Sequence, residues 1–190
     1  MRRKRTPIIG IDLDEVIWGL TEAWLQRHNE ITGDDVKVED VKSWDITQYI
    51  KKGGRTELFY ILEQKDFWQT VKPAAKSAEY LQRLMDDGYL IYIVTASSYR
   101  TVSPKLRHFF NLFPFIKQGQ VIIAEEKQMI DLDLLVDDNP ANLCGGRFNR
   151  VLFDAHHNRW CDEEKINAVR IKNWDELYEY ITSNFPIGRS

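Results

Sequence analysis

The sequence is poor in cysteine, glycine and proline, and it contains no long uncharged apolar run. Two cysteines, Cys144 and Cys161, without a C-x-x-C spacing, exclude a disulfide framework and favour reduced thiols. Ten glycines and six prolines, with 43% hydrophobic and 29% charged residues, exclude a fibrous or largely disordered chain. No apolar run approaches the roughly 20 residues of a membrane helix. We therefore expect a globular protein without a membrane partner.

Neither sign of charge dominates the chain. Lys and Arg number 26 against 29 Asp and Glu, and the net charge of −3 makes nucleic acid an unlikely partner in any general coating role. The basic run within residues 1–6 is predicted to be a solvated tail, with a nucleic-acid arm as the less favoured alternative. No apolar signal segment follows it, so we expect a cytoplasmic protein. The length fits one main domain with an insert.

Short apolar runs predict the strands of a parallel sheet. The first run, residues 7–11, is continuously apolar rather than alternating, as in a strand buried on both faces. Similar runs follow at 89–94, 121–124, 134–136 and 151–153. Helix signals separate these runs: Pro73 and Gly88 bracket one helix, Ser103 begins a second, and Asn173 with Glu176 resembles a capping box for a third. The alternation predicts an α/β fold with a Rossmann-like, doubly wound parallel sheet.

Residues 15–72 interrupt this alternation. An amphipathic helix is predicted over 15–30, with apolar residues on one face, and no convincing buried strand follows it. The apolar face comprises Val16, Leu20, Ala23 and Trp24. We predict a small, mostly helical cap over residues 15–72, inserted after the first strand into a core formed by 7–14 and 73–190.

Acidic or hydroxyl residues follow four of the predicted strands. These residues are Asp12 and Asp14, Thr95 and Ser97, Asp137 and Asp138, and Asp154. Because ligands of open α/β sheets bind beyond the carboxyl ends of the strands, we expect the four clusters to converge. Neighbouring carboxylates need a cation or a shared proton, and their oxygens suit Mg²⁺ with a substrate phosphate. Each acid could instead cap the helix that follows it. The shared position favours a phosphate-handling metal site.

Two basic features lie near the predicted strand ends. Lys127 precedes Asp137 by ten residues and, if directed at the site, would neutralise phosphate charge and keep the acids ionised. Taken alone it would be interpreted as an exposed lysine. His156 and His157 follow the last predicted strand, and we interpret them as loop residues without a role because no second ligand cluster has matching spacing.

The order of these motifs resembles that of the haloacid dehalogenase-like hydrolases. The resemblance rests on Asp12-Leu13-Asp14, Thr95-Ala96-Ser97, Lys127 and Asp137-Asp138, in that order along the chain. It implies that Asp12 is the nucleophile that takes the phosphoryl group, and that Asp14 is the general acid and then the general base. Thr95 would hydrogen-bond the phosphate, and Lys127 would hold both the phosphate and Asp12.

The same resemblance implies a cofactor and its ligands. Mg²⁺ would be bound by the Asp12 carboxylate, the Asp14 backbone carbonyl and Asp138, with Asp137 close by. Ser97, beside Thr95, is a candidate substrate-binding residue. The expected chemistry is in-line phosphoryl transfer assisted by positioning and charge neutralisation.

Within that superfamily, the size, the short cap and the passage 67–74 resemble the 5′(3′)-deoxyribonucleotidases. The predicted cap is rich in rings, at Trp18, Trp24, Trp44, Tyr49, Phe59, Tyr60, Phe67 and Trp68. Aromatic faces above a phosphate site suit base stacking, although most of these rings also fit a cap core. The resemblance places Phe67 and Trp68 facing the pocket, which makes them candidate substrate-binding residues.

The sequence departs from the family pattern at two positions, and each departure leads to a further prediction. Glu15 stands where the superfamily commonly has glycine, and it adds negative charge near the pocket unless it turns outward. Residues 95–99 lack both the Thr-Ser-Pro form and the extra lysine expected of these nucleotidases. Arg100 is a candidate replacement for that lysine, and weaker phosphate affinity is the alternative.

We therefore predict a Mg²⁺-dependent phosphomonoester hydrolase that acts through an aspartyl-phosphate, with a (deoxy)ribonucleoside monophosphate as the favoured substrate. The alternatives are a phosphatase for another small phosphomonoester such as a sugar phosphate, and an enzyme that processes nucleic-acid ends, which the net charge opposes. A receiver-like signalling domain would show a different motif order. A non-catalytic phosphate- or nucleotide-binding paralogue stays open because motifs alone do not prove turnover.

Overall fold

A computed structural model describes residues 5–187, so most of the predicted basic tail lies outside the described residues. Its centre is a six-stranded sheet in the order β3-β2-β1-β4-β5-β6, in which every neighbouring pair is parallel. The strands are β1 Ile8–Ile11, β2 Leu90–Thr95, β3 Val121–Ile123, β4 Leu134–Asp137, β5 Asn149–Phe153 and β6 Val169–Ile171. The predicted α/β fold is confirmed. The sequence interpretation missed β6 because only Ile171 of its three residues is buried.

Both faces of the sheet are covered, which explains the continuously apolar strands. In β2, Ile91 and Ile93 face the larger buried cluster, whereas Val94 faces the smaller one. In β4, Leu134 and Leu135 divide in the same way. Since successive side chains of a strand point to opposite faces, a strand covered on both faces must be apolar at nearly every position.

The described residues form six helices: α1 Leu20–Thr32, α2 Arg55–Ile61, α3 Ser77–Asp86, α4 Val102–Leu112, α5 Pro140–Leu143 and α6 Trp174–Asn184. The predicted capping box is present, because the Asn173 side chain accepts a hydrogen bond from the Glu176 N–H at 3.0 Å at the start of α6. Gly88, which follows α3, has a φ of +98° that a glycine adopts without steric cost. The sequence signals therefore placed these two helices close to their observed bounds.

The cap segment, residues 15–72, is described throughout and contains α1, α2 and three short 3₁₀ turns but no strand of the sheet. The prediction that its first helix begins at residue 15 was wrong. Glu15 has a φ of +59°, and the N–H groups of Ile17 and Trp18 both donate to the Leu13 carbonyl, so the chain turns before α1 begins. Trp18 then pairs with Asp14 and with Pro73, which brings the two ends of the segment together.

Two expectations from composition can be compared with the structure. Both cysteines are described and are free thiols, with Cys144 exposed and Cys161 half-buried. Within residues 5–187, no helix combines the length and the apolar character that a bilayer crossing requires.

Candidate active site

The strand order creates a crevice at one edge of the sheet. From β1 the chain proceeds to β2 and β3 on one side, then returns to place β4 on the other side of β1. At such a switch point the loops beyond the carboxyl ends diverge and leave room for a ligand. Asp12 directly follows β1, Thr95 ends β2 and Asp137 ends β4. The topology therefore brings together three motifs that are distant in sequence.

Three acids and one lysine form a buried cluster at this edge. Carboxylate oxygens of Asp12, Asp137 and Asp138 all lie within 4.8 Å of one another. The Lys127 ammonium donates to Asp12 at 2.5 Å and to Asp137 at 2.6 Å. Lys127 begins a short 3₁₀ turn that precedes β4, and this turn directs its side chain inward. A lysine that would look exposed in isolation is thus almost fully buried among acids.

The two acids at the end of β4 have different surroundings. Asp137 binds Lys127 and also accepts hydrogen bonds from the Asn139 N–H and the Asn142 side chain. Asp138 Oδ2, in contrast, is buried and has no aligned hydrogen-bond partner among the described residues, although His157 Nε2 lies 2.9 Å away. A buried carboxylate oxygen without a partner is costly unless a cation meets it. The oxygens of Asp12 and Asp138 therefore fit a hard divalent cation.

Burial dominates the electrostatics of this cluster. Burial raises the pKa of Asp12 to about 7 against the attraction of Lys127, and the charges of Asp137 and Asp14 raise it further. Burial, together with the charges of Asp12 and Asp137, raises the pKa of Asp138 well above its usual value. For Lys127, burial disfavours the charge, but the two partner carboxylates outweigh burial and raise its pKa. Additional positive charge at this cluster would keep the carboxylates ionised.

A second buried lysine, Lys105 on α4, organises the other half of the site. Its ammonium lies 2.5 Å from Asp14 Oδ2 and 2.9 Å from Thr95 Oγ1, and the Trp18 indole N–H donates to Asp14 Oδ1 at 2.7 Å. The Asp14 carboxylate thus faces Lys105 and Trp18, outside the cluster of Asp12, Asp137 and Asp138.

The structure does not place Arg100, the candidate replacement for a lysine after Thr95, at the site. Its side chain is exposed and pairs with Glu63 of the cap segment at 3.2 Å, and Lys105 contacts Thr95 instead. A sequence signal was available, because Lys105 lies four residues before the buried Phe109, on the same face of the predicted helix. A lysine on the apolar face of a helix is unusual and merits a functional interpretation.

Glu15 does not turn outward. Its carboxylate accepts the Thr21 N–H at 2.6 Å and so supplies a hydrogen bond to the first turn of α1. Burial raises the pKa of Glu15 to about 7, and the residue lines the cavity described next. The glutamate therefore connects the loop that follows β1 to the first helix of the cap segment.

A cavity of about 660 Å³ lies between the cap segment and the strand ends. Asp14, Asp138, Lys105 and Ser97 line its polar side. Its apolar side is formed by Leu20, Trp24, Val41, Trp44, Ile46, Phe59, Leu62 and Trp68. The wall contributed by the cap segment also carries polar and charged side chains, at Glu15, Thr21, Ser43, Asp45, Arg55 and Glu63. The polar wall beside the strand ends can bind an anionic group, and the aromatic part of the cap wall can bind a flat apolar group.

The structure separates the two predicted aromatic candidates. Trp68 lines the cavity, but Phe67 does not; it is fully buried and packs against Trp68 with 5.4 Å between ring centroids. The expectation that Phe67 faces the pocket was wrong, because the 3₁₀ turn Phe67–Thr70 directs its ring into the core. Trp44 and Phe59 line the cavity instead and are 62% and 39% exposed. Trp44 stands between polar neighbours, a pattern that could have singled it out.

Two further expectations about strand ends need correction. Asp154 does not join the acid cluster; it pairs with Arg170 at 3.0 Å and Arg159 at 3.2 Å, because β5 lies one strand further from the switch point.

His157, to which no role was assigned, lines the cavity and packs edge-on against Trp44 with 5.1 Å between ring centroids. Its position just after β5 could have indicated this placement.

Solved structures share this architecture. A haloacid dehalogenase family hydrolase from Deinococcus radiodurans, crystallised with phosphate and sodium, superposes with a TM-score of 0.65 at 15% identity and covers 94% of this chain and 96% of its own. A hydrolase from Pseudomonas syringae superposes with a TM-score of 0.58 at 12% identity, covering 95% and 99%. The chain therefore has the fold of the haloacid dehalogenase-like class, and its aspartates, threonine and lysines gather at the switch point of that fold.

Sequence relatives narrow the class to a family. A 5′(3′)-deoxyribonucleotidase from Clostridium acetobutylicum is 37% identical over 172 residues, which cover 90% of this chain and 92% of the relative. One from Bacillus subtilis is 28% identical over 172 residues, covering 90% and 95%. The profile of the family described as 5′ nucleotidase, deoxy (Pyrimidine), cytosolic type C protein matches residues 6–185. The chain belongs to this nucleotidase family.

Proposed function

We propose that the protein is a Mg²⁺-dependent hydrolase of (deoxy)ribonucleoside monophosphates that acts through an aspartyl-phosphate on Asp12. The observation that carries this proposal is the pairing of Asp12 with Lys127 at 2.5 Å beside a cavity with one polar and one aromatic wall. The two relatives named 5′(3′)-deoxyribonucleotidase support a nucleotide substrate.

The phosphate end of the substrate meets the polar wall. Lys127 and Lys105 offset the phosphate charge, while the hydroxyl groups of Thr95 and Ser97 donate hydrogen bonds to its oxygens. Both lysines are already paired with carboxylates, so they are positioned before the substrate arrives. Such preorganised charge is effective because nothing needs to reorient during the reaction.

Hydrolysis proceeds in two displacements. A carboxylate oxygen of Asp12 attacks phosphorus, the bond from phosphorus to the nucleoside oxygen breaks, and Asp14 donates a proton to that oxygen. Asp14 then accepts a proton from a water molecule that attacks the phosphorus, and the bond to Asp12 breaks to release inorganic phosphate. The Trp18 N–H and the Lys105 ammonium hold Asp14 in place for both proton transfers.

The cation would be held by the carboxylates of Asp12 and Asp138, with the backbone carbonyl of Asp14 as a further ligand. When bound, Mg²⁺ would supply the positive charge that keeps these acids ionised and offsets the charge of the phosphate. Asp137 holds Lys127 beside the nucleophile.

The nucleoside occupies the aromatic wall, with the exposed rings of Trp44 and Phe59 as the stacking surfaces, while Trp68, which is 2% exposed, forms the floor behind them. Stacking of a base on an aromatic ring contributes about 1–3 kcal/mol and tolerates different bases. In this assignment the cap segment, residues 15–72, binds the nucleoside, while residues 7–14 and 73–190 form the core that binds the phosphate.

The test is phosphate release from a panel of ribo- and deoxyribonucleoside 5′- and 3′-monophosphates and sugar phosphates, with Mg²⁺ and with EDTA. We expect Mg²⁺-dependent release that favours nucleotides and falls at least about 1,000-fold in Asp12→Asn. The matched control is Asp131→Asn, which changes an exposed aspartate in the same way. Preference for sugar phosphates would overturn the nucleotide assignment, and full activity in Asp12→Asn would overturn the mechanism.

A further inference from the structure

Asn158 lies behind the acid cluster, in a short 3₁₀ turn after β5, and is 2% exposed. Its side-chain amide donates to the backbone carbonyls of Asp138 and Phe153, both at 2.7 Å. Its side-chain oxygen accepts from the Ala155 N–H at 3.1 Å and from Arg170 at 3.0 Å. An asparagine side chain has two N–H donors and two lone pairs, so every hydrogen-bonding position of Asn158 is used.

Asn158 hydrogen-bonds the backbone of Asp138, a residue whose carboxylate has fewer hydrogen-bond partners than that of its neighbour Asp137. The Asp137 carboxylate is held by Lys127, the Asn139 N–H and the Asn142 side chain. Among the described residues, Asp138 Oδ2 has no aligned hydrogen-bond partner, and its one close polar neighbour is His157 Nε2 at 2.9 Å, so its direction depends mainly on its backbone and its packing. The hydrogen bond from Asn158 to the Asp138 carbonyl fixes that backbone.

Arg170, on β6, holds Asn158 in turn. Besides the Asn158 side chain, its guanidinium donates to the backbone carbonyls of Asn158 and Cys161 and to the carboxylates of Asp154 and Glu163. Five acceptors around one planar guanidinium leave the group little freedom to move. A continuous chain of hydrogen bonds therefore runs from the edge strand β6 to the loop that follows β4.

We propose that Asn158 is a positioning residue for the divalent cation, and that Arg170 holds Asn158 in place. By fixing the Asp138 backbone, Asn158 directs the Asp138 carboxylate at Asp12, the other carboxylate of the cation site. The inference rests on the proposed function, because it assumes that Asp12 and Asp138 share a cation. It also gives a role to Arg170 and Asp154, which lie outside the cavity.

The test is calorimetric titration of the metal-free full chain with MgCl₂, for the wild type, Asn158→Ala and Asn149→Ala. Asn149 is a matched control, because its side chain donates to the backbone carbonyl of Asp133 at 2.8 Å, at the opposite end of β4. We expect Asn158→Ala to bind Mg²⁺ about 10-fold more weakly or worse. Asn149→Ala should bind as the wild type does, and raising the Mg²⁺ concentration should restore activity to Asn158→Ala.

Arg170→Lys is the second variant, used if circular dichroism shows that Asn158→Ala is unfolded. It keeps the charge but loses the planar fork that holds Asn158, and we expect it too to weaken Mg²⁺ binding. Wild-type Mg²⁺ affinity in the folded variants would overturn the inference and leave the proposed function standing. If the wild type itself binds no Mg²⁺, the proposed cation fails and the inference fails with it.

Discussion

Lys105 and Lys127 form ion pairs with different acids of the site. Lys127 pairs with Asp12 and Asp137, and Lys105 pairs with Asp14. Both ammonium groups are almost fully buried, and a buried charge is tolerated only when it is paired. In the proposed mechanism, Lys127 therefore holds the nucleophile, Asp12, and Lys105 holds Asp14, the acid that serves the leaving group.

Replacing Lys105 tests whether its ion pair with Asp14 is needed for activity. Lys105→Met keeps the length of the side chain but removes the charge beside Asp14 and Thr95, so we expect kcat/KM for a nucleoside monophosphate to fall about 100-fold or more. Arg100→Met removes an exposed charge paired with Glu63, and should leave kcat/KM nearly unchanged. Steady-state kinetics of the two variants decide between the lysine and the arginine; an equal loss in both would contradict the assignment to Lys105.

At the scale of elements, one acid holds the end of α1 to a distant loop. Asp34 follows the left-handed Gly33 that ends the helix, and its Oδ2 accepts the N–H groups of Lys51 and Lys52 at 2.6 and 3.0 Å. Burial opposes ionisation of Asp34, but the backbone N–H donors outweigh burial and hold the pKa of the carboxyl below its usual value. Asp34 therefore stabilises the cap segment in its ionised form.

We expect Asp34→Asn to lower the free energy of unfolding by about 2 kcal/mol at pH 7, the typical value for hydrogen bonds to a charged group. Because the pKa of Asp34 is lower in the folded chain than in the unfolded chain, this contribution is present above about pH 4 and is lost below it. The difference between wild type and variant should thus shrink from pH 5 to pH 3 in denaturant titrations.

The control for this measurement is Asp35→Asn, the neighbouring acid, which makes an exposed ion pair with Lys51. It should change the free energy of unfolding by less than about 1 kcal/mol, as expected for a surface pair. A difference between wild type and Asp34→Asn that stays constant from pH 5 to pH 3 would show that ionisation of Asp34 is not the stabilising feature.

On the scale of the whole molecule, the cap segment and the sheet share one buried core. Trp24 and Leu58 of the cap segment belong to the same hydrophobic cluster as Ile9 of β1. The last helix joins the same assembly, because the Trp174 indole N–H donates to the Val16 carbonyl at 2.9 Å. The two walls of the cavity are therefore connected by packed side chains, and the distance between them is set by the fold.

Two exposed tryptophans test the function of the aromatic wall. Trp44→Ala removes a ring that lines the cavity, and we expect kcat/KM for nucleoside monophosphates to fall about 10-fold, while hydrolysis of ribose 5-phosphate changes little. Trp160→Ala removes a ring that is 76% exposed and does not line the cavity, and both substrates should behave as with the wild type. An equal loss for both substrates in Trp44→Ala would argue against base stacking.

Features that depend on local sequence patterns were predicted correctly, whereas features that depend on contacts between separate parts of the chain were not. The strands β1 to β5 were all predicted from successive apolar residues, which burial on both faces requires of the central strands. The start of α1 was not, because the positive φ of Glu15 depends on a hydrogen bond to Thr21 and on the pairing of Trp18 with Pro73. Local patterns do not contain such contacts between separate segments.

The sequence by itself determined the α/β class and the meeting of Asp12, Thr95 and Asp137, because parallel strands place their carboxyl ends at one edge. Only the tertiary structure decided which side chains reach the site from other elements. These are Lys105 from α4, Trp44 from the cap segment, and His157 and Asn158 after β5, whereas Phe67 and Asp154 are directed elsewhere. The physical reason is that side-chain direction and the packing of distant elements set these contacts.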